Sequence, residues 1–549
     1  MRSCVVLCLL IFMFVITAEG TIRRVPQDYA KIQLAINASI DGDTVLVSEG
    51  TYFENLVLIK KIVLGSYFII DRDTSHISKT VIDGSTPRHP DSASVILITT
   101  GTDSTTVISG FTLRRGSGTR VFDSWWNQHW RCGGGIVLLA GGARIANNII
   151  ANNTLITSDA VVGGGIHVWT QEGPIPFWII EDNKIINNNI RSTSVEAEGG
   201  AVHLTEQGRF NNNVVMNNSV AGVNYGHAGG IWITSALGYG STYIELSNNY
   251  ICGNTASHSG GGMLAAMNGA SGELTTTILT NNVFCNNSSS TGGAAIQFQS
   301  GIHTLINNTL ANNNGPNTVR VFSTIGALVM RMLNNILWNP SVSSEYVVGS
   351  GTYTRTRYSN YNCVRTGLTG TNNITGDPIF MSGDTLYRLS QNSPCIGTGI
   401  SSDVLGGETW FAPPFDFLKT PRPNPVGSIP DIGALEHTLG VPTDVDENKS
   451  YPFEFGLSQN YPNPFNPSTI IKYSIPASAG ANNHSPVQLK VFDILGREVA
   501  TLVNEEKAPR NYEVEFSGVG TGLDLSAGVY FYQLRAGTVV ITRKMLLLK

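Results

Sequence analysis

Charge is the first scarcity in this chain. Asp, Glu, Lys and Arg make up 14% of 549 residues, against roughly a quarter in ordinary globular domains. Thirty-five basic and forty acidic side chains leave a net charge of −5, which argues against a broad basic surface for nucleic acid. Cysteine is also scarce. Of seven in all, two lie in the first ten residues. The other five, Cys132, Cys252, Cys285, Cys363 and Cys395, lack the clustered spacing of a metal site. After residue 20 no run is long and apolar enough to span a bilayer. G-x-S-x-G, H-E-x-x-H and phosphate-loop patterns are missing. What is abundant is glycine, 59 residues, together with many asparagines, and hydrophobic residues at 41% still allow a large core. This balance points to stacked β structure with tight turns rather than to helices.

Residues 1–20 read as a signal peptide. Met1-Arg2 is a short positive start, Cys4 to Ile16 is almost wholly apolar, and Ala18-Glu19-Gly20 suits cleavage before Thr21. Export permits disulfides. Cys252–Cys285 and Cys363–Cys395 are the pairs to test, and buried thiols are the equal alternative.

An internal repeat dominates the chain beyond this leader. A glycine step enters a strand at Gly133-Gly-Gly-Ile136, Gly163-Gly-Gly-Ile166, Gly199-Gly-Ala-Val202, Ala228-Gly-Gly-Ile231, Gly260-Gly-Gly-Met263 and Gly292-Gly-Ala-Ala295, at intervals of 30, 36, 29, 32 and 32 residues. An N-N-x-x-x-N-N motif runs from Asn147 to Asn153, Asn212 to Asn218, Asn281 to Asn287 and Asn307 to Asn313, with variants from Asp182, Asn248 and Asn334. The apolar runs inside each repeat are too short to bury a face alone, so successive repeats must stack on one continuous core. Glycine allows close approach and positive φ at corners. Asparagine tolerates the left-handed turn conformation and can stack into hydrogen-bonded ladders. The predicted fold is all-β: a right-handed parallel β-helix followed by a small antiparallel β-sandwich. Asp28 to Ser39 has helical apolar spacing and should cap the open N-terminal end.

The order of helix, Asp41-Gly-Asp-Thr-Val-Leu-Val-Ser-Glu-Gly-Thr-Tyr52, Thr80-Val-Ile-Asp-Gly84 and Val107-Ile-Ser-Gly-Phe-Thr-Leu113 resembles the start of pectin-lyase-like right-handed β-helix proteins. The glycine and asparagine coils are similar to the same superfamily, which includes secreted surface proteins without known activity. Asp377-Pro-Ile-Phe380, Ser393-Pro-Cys-Ile396, Pro421-Arg-Pro423 and Asp431-Ile-Gly-Ala-Leu-Glu436 resemble the choice-of-anchor Q closing region of such proteins, and should blunt the exposed C-terminal end of the stack. Gln459-Asn-Tyr-Pro-Asn-Pro-Phe-Asn-Pro467, Asp493-Ile-Leu-Gly-Arg-Glu-Val499 and Ala527-Gly-Val-Tyr530 resemble the type A C-terminal sorting domain of type IX secretion substrates. That resemblance implies a bacterial protein secreted to, or held at, the outer cell surface, with the secretion machinery as a partner. The expected organisation is residues 1–20 signal peptide, 21–375 β-helix with its capping helix, 376–439 closing region, 440–452 linker and 453–549 sorting sandwich.

Strand alternation places Val137, His167, His203, Trp232 and Leu264 in one outward column, with Leu139, Trp169, Thr205 and Thr234 two residues further on. His167, Trp169, His203 and Trp232 would then share a surface suited to sugar stacking. The loop 122–131 holds Trp125, Trp126, Trp130 and Arg131 and would either complete a saccharide cleft or cover the early coils. Glu196 and Glu198 precede a glycine step near His203 and His227, so Glu198, His203 and His227 are the candidates for acid–base work. No metal or other cofactor is implied. Asp71 and Asp73 could take Ca²⁺, but their spacing does not specify it. The sequence departs from the enzymes it resembles. It has no clustered Asp pair with a later His-Gly as in polygalacturonases, no R-x-P-x-x-R as in pectate lyases, and no pectin methylesterase Asp and Gln motifs. The leading expectation is therefore a surface protein that binds polysaccharide or another surface ligand, without nucleic acid. The alternatives are a lyase or glycoside hydrolase acting on an acidic polysaccharide, and a structural spacer.

Overall fold

The computed structural model describes residues 20–549 except 125–126, 170–175, 236–240, 267–273, 324–325, 352–354, 439–455, 476–486, 506, 508–509, 518–524, 537–538 and 549. The apolar leader, the linker, Trp125 and Trp126 lie outside the described residues. The chain divides into two compact units, a solenoid with its closing segment to His437 and a C-terminal sandwich.

The solenoid is a parallel β-helix. Three large sheets of twelve, eleven and ten strands each take about one strand per coil, in chain order. One coil shows the course. Arg144–Ala146 lies in the first sheet and Ile149–Ala151 in the second. Thr154–Thr157 and Ala160–Val162 enter two lateral sheets of five and six strands. Ile166–Trp169 lies in the third sheet, and Trp178–Glu181 returns to the first. Inward residues stack in register. Ile145, Ile180, Phe210, Leu246, Leu279, Leu305 and Met332 form one continuous buried row. No strand of three or four residues could hide such side chains by itself, and the coil above and below does it instead.

The two asparagines of each pair do different jobs. The first takes the left-handed conformation that turns the chain, as at Asn147 (φ 58°), Asn152 (φ 56°), Asn212 (φ 56°) and Asn217 (φ 54°). The second is buried and bonds the next coil. Asn183 donates from its backbone N and its Nδ2 to Asn213 Oδ1 at 3.0 and 3.1 Å. The same Nδ2 donates back to Ile145 O at 2.8 Å. Repeated along the stack, this gives one row from Asn148 to Asn362 and Asn373, and a second from Asn153 to Asn339. The second row ends on Glu345, which is fully buried. It accepts from Asn339 N at 2.7 Å, Asn339 Nδ2 at 2.8 Å, Thr318 Oγ1 at 2.5 Å and Arg365 Nε at 3.1 Å.

The N-terminal helix forms at Ile32–Ala38 and buries Ile32, Ala35 and Ile36 against the first coils. The first coil holds both helix ends. Glu54 accepts from Ile32 N and Gln33 N at 2.9 and 3.1 Å, and Lys60 Nζ donates to the carbonyls of Ile36, Asn37 and Ser39. A carboxylate at the start and an ammonium at the end match the helix polarity.

The closing segment departs from expectation in where it sits. Leu368 enters the core and Asn373 ends the first amide row, so residues 365–374 cover the C-terminal end. Residues beyond 376 instead clad the flank of the last coils. Tyr387 and Ala434 pack on Cys252, Val283, Cys285 and Ala311 of the second sheet, while Leu405 packs on Ile306 and Leu333. The left-handed asparagines supply the docking bonds. Asn281 donates to Phe415 O at 2.7 Å and accepts from Arg422 Nη1 at 2.7 Å, and Asn334 donates to Ile400 O at 2.8 Å. Their turn conformation points these amides outward, a second use that the repeat pattern did not announce.

The C-terminal unit is an antiparallel sandwich of a three- and a four-stranded sheet. Ile471, Leu489, Val491, Tyr532 and Met545 fill its core. Asn460 N donates to Tyr532 Oη at 2.8 Å, and Asn460 Nδ2 donates to Thr469 Oγ1 at 3.0 Å, which pins the proline-rich motif to the strands.

Candidate functional site

The glycine step sets the geometry of the one polar region in the solenoid that the fold does not require. The chain leaves the six-stranded lateral sheet, turns at a left-handed residue and enters the third sheet. That residue is Gly133, Gly163, Gly199, Ala228, Gly260 or Gly293, with φ between 50° and 71°. The last step therefore starts at Gly293 and its first inward residue is Ile296, which pairs with Met263. Starting it at Gly292 sets that register one residue early. The sharp turn folds the lateral sheet back over the outer face of the third sheet and leaves a wedge between them. Positions i and i+5 flank each step: Cys132 and Val137, Val162 and His167, Glu198 and His203, His227 and Trp232, Ser259 and Leu264, Gly292 and Gln297. Register confirms both columns. Cys132, Val162, Glu198 and His227 run along the lateral sheet. Val137, His167, His203, Trp232, Leu264 and Gln297 run along the third sheet. Contact across the wedge is direct, because Val137 packs with Cys132 and Val162 and the His227 ring stacks on Trp232 at 5.7 Å.

The wedge changes character along its length. Its first rows are apolar. The middle rows are ionisable and aromatic, and the last are small or amide-bearing. His203 Nδ1 lies 2.9 Å from His167 Nδ1, with the rings stacked at 4.9 Å. Burial holds His167 down near a pKa of about 3, and burial together with His167 holds His203 well below its ordinary value. Both rings are therefore neutral at pH 7. One Nδ1–H donates to the other Nδ1, so one Nε2 is left bare and the other carries a proton. Neither Nε2 has a partner among the described residues, and the same holds for Trp232 Nε1 and Gln297 Oε1. Buried polar atoms left without partners cost on the order of 1–3 kcal/mol each. Four of them on one column are an unmet demand for a polar occupant.

Glu198 is the acid of the wedge. Burial, and then the charge of Glu196, push its carboxyl up to about 8. Glu196 accepts from Gln128 Nε2 at 3.1 Å. His227 Nδ1 lies 2.8 Å from Ser259 Oγ, which also accepts from Gln297 Nε2 at 3.0 Å. Burial, and then His258, lower His227 to about 4. Tyr225 stacks on His227 and on His258, each at 5.4 Å, and is itself exposed. Tyr225 thus marks the solvent edge of an otherwise closely packed seam.

The structure brings His167, His203, Trp232, Glu198 and His227 together. The outward column is nonetheless not an open face, since His167, His203 and Trp232 are 2%, 5% and 5% exposed. The folded-back lateral sheet accounts for this. Trp169 lies partly exposed beside His167 at 6.0 Å. The expected loop 122–131 is largely a β-hairpin, with Gly118–Asp123 antiparallel to Gln128–Cys132. Trp130 faces the wedge in the cluster of Cys132 and Val137. Arg131, its neighbour, turns to the other face, where it donates to Pro90 O and Gly118 O and pairs with Asp91 at 3.2 Å. Arg131 thus clamps the base of the hairpin. Asp71 accepts from Asp73 N and His76, and Asp73 from Ser75, so their oxygens serve a local turn. Among the described residues no group of three or more His, Cys, Asp or Glu converges as metal ligands would. Ser259, Gln297, Tyr225 and His258 were missed. The i, i+5 spacing across each glycine step would have found the first two.

Residues 459–548 match the family described as a secretion system C-terminal sorting domain. The antiparallel sandwich is therefore the sorting domain of type IX secretion, and the protein is exported to the cell surface or the extracellular space. No curated protein and no solved structure matches the chain. Among the described residues no helix is long and apolar enough to cross a membrane.

Proposed function

We propose that this exported β-helix binds a neutral polysaccharide in the wedge between its lateral and third sheets. The observation that carries the reading is the column of unpartnered polar atoms on His167, His203, Trp232 and Gln297 beside aromatic surface. Sugars present the same mixture, an apolar ring face with donors and acceptors at its edge. An uncharged ligand is favoured along the middle rows, because none of the twelve residues flanking the six steps is Lys or Arg and Arg320 follows only beyond Gln297, at the far end of the column. The histidine pair is neutral as well, so it offers one donor and one acceptor rather than a cation.

The test is affinity gel retardation of the full chain on neutral and acidic polysaccharides, with Trp232→Ala and His203→Ala beside the parent. Retardation on a neutral glycan that falls at least tenfold in both folded variants supports the reading. Equal retardation of parent and variants, or retardation only on acidic glycans, overturns it.

One observation favours hydrolysis as a second reading. Glu198 holds its proton near neutral pH next to the carboxylate of Glu196, and a retained proton is what a general acid needs. Release of reducing ends that Glu198→Gln abolishes, without loss of binding, would establish it. Absence of product across the glycans that bind would leave the protein a binding module.

A further inference from the structure

The closing segment is long and irregular, and it holds to the solenoid flank through apolar clusters, hydrogen bonds and the Arg331–Glu408 ion pair. Two cysteines meet at its centre. Cys363 belongs to the last strand of the second sheet, Cys363–Val364, and pairs through that strand with Ile336. Cys395 comes from the closing segment. Its own backbone is fixed there, since Ile432 N donates to Cys395 O at 3.0 Å and Cys395 N donates to Ser393 Oγ at 3.2 Å. Both side chains are fully buried in one cluster with Ile336, Leu389 and Ile432. The two side chains thus share one buried cluster, and Cys363 Sγ also reaches Gly376 O at 3.2 Å.

Both are thiols in this structure, as are the other three cysteines. Their arrangements differ. Cys132 has no cysteine neighbour in its cluster. Cys252 and Cys285 are in register on adjacent parallel strands. There the strand spacing of about 4.7–4.9 Å holds their Cβ atoms wider than the roughly 3.5–4.5 Å of a relaxed disulfide. Cys363 and Cys395 are under no such ladder constraint, because Cys395 lies outside every sheet. Export by the sorting domain carries the chain into a compartment where disulfides persist.

We propose that Cys363 and Cys395 form a disulfide in the exported protein, which staples the closing segment to the last coil. The bond forms by thiol–disulfide exchange with a protein disulfide of the export compartment. Cys363 or Cys395 attacks that disulfide as thiolate and expels one of its sulfurs. The second cysteine then displaces the mixed disulfide. Two protons and two electrons leave the chain, and the oxidant departs as a dithiol. Cys395 beside it, and then burial, raise the Cys363 thiol above its ordinary range, so exchange belongs to the stage before the segment docks. The staple encloses the segment start and fixes its middle, leaving Arg422 and the 431–436 run to dock beside it.

The experiment is peptide mapping of the full chain exported to an oxidising bacterial periplasm. The protein is purified without reductant, then unfolded and alkylated. The expected result is a linked peptide joining Cys363 to Cys395. Alkylation of both residues, or linkage of either one to a different cysteine, overturns the proposal. A second measurement guards against folding defects. Limited proteolysis within 376–437 should quicken at least tenfold in Cys395→Ser, and equally in the parent treated with dithiothreitol. Unchanged cleavage of the reduced parent would show that no staple holds the segment.

Discussion

His203 Nδ1 lies 2.9 Å from His167 Nδ1, and the two imidazoles stack one above the other on adjacent coils. Only one of them can donate in that bond, and an added proton would have to charge the donor's bare Nε2, which burial disfavours. In the native chain His167 sits near 3 and His203 well below its usual value, whereas both titrate near 6.5 when unfolded. Between those limits the unfolded chain binds more protons. The contribution to stability is therefore full above about pH 6.5 and falls as pH drops through the window. The urea midpoint should decline from pH 6.5 to 5, and a His167→Leu/His203→Leu double variant should show a shallower decline. Some slope should persist, because His227 and His303, each near 4, act in the same sense.

Glu198 works in the opposite direction. Its folded pKa of about 8 lies above the ordinary 4.5, so the native chain keeps a proton that the unfolded chain gives up. Stability from this group is full at and below about pH 4.5 and lessens as pH rises toward 8. Glu198→Gln should match the parent near pH 5 and exceed it in thermal midpoint at pH 8.5. A variant less stable than the parent at both pH values would contradict this account.

The amide rows give a third expectation. Asn254 Oδ1 accepts from Asn218 N and Nδ2, while Asn254 Nδ2 donates to Val215 O and Asn287 Oδ1. Asn254→Ala strands several buried groups at once and should cost at least about 3 kcal/mol in equilibrium unfolding. Glu345→Gln should cost about 1–3 kcal/mol, because its amide nitrogen would face the donors of Asn339 or Thr318.

Left-handed corners supply the fourth. Ala228 holds φ 58° at a position that is glycine in the other steps. Ala228→Gly should raise stability by about 1 kcal/mol through relief of that strain. Gly200→Ala should do the reverse, since its Cβ would meet Gly229 O at 2.3 Å. Paired denaturant curves of the two variants decide the matter.

The solenoid could be read from the sequence because stacking forces equal roles onto equal positions. Asn148, Asn183 and Asn213 recur because each completes the same bond, and the glycine steps recur because each makes the same turn. The sandwich was legible from its motifs, and Asp493-Ile-Leu-Gly-Arg497 lies at the turn between the strands Val487–Phe492 and Glu498–Glu505. The candidate site was half legible. Strand alternation put His167, His203 and Trp232 in one column, but it could not show that the lateral sheet folds over them. Glu198 and His203 are five positions apart, and only the left-handed turn at Gly199 makes that spacing a juxtaposition. The direction of Arg131 was not legible for a related reason, because the hairpin that fixes it depends on pairing with Gly118–Asp123. The closing segment has no repeat at all, so its place on the flank was beyond pattern reading.

Along each row the Oδ1 accepts from the asparagine on the N-terminal side and one Nδ2–H donates to the asparagine on the C-terminal side, while the other Nδ2–H returns to a backbone carbonyl of the preceding coil. The side-chain dipoles of the second row therefore all point the same way, as peptide dipoles do in a helix. Its electropositive pole lies at Asn339, and there the chain places the one anion of the row, Glu345, with Arg365 beside it. The stack is consequently a polarised object with a terminator. Whole coils inserted ahead of Asn339 preserve the field and lengthen the protein without penalty at either pole. Coils appended after Glu345 would have to displace Arg365, the cation that balances this buried carboxylate. Growth of such a protein by duplication is therefore directional, and its length is set upstream of a fixed end.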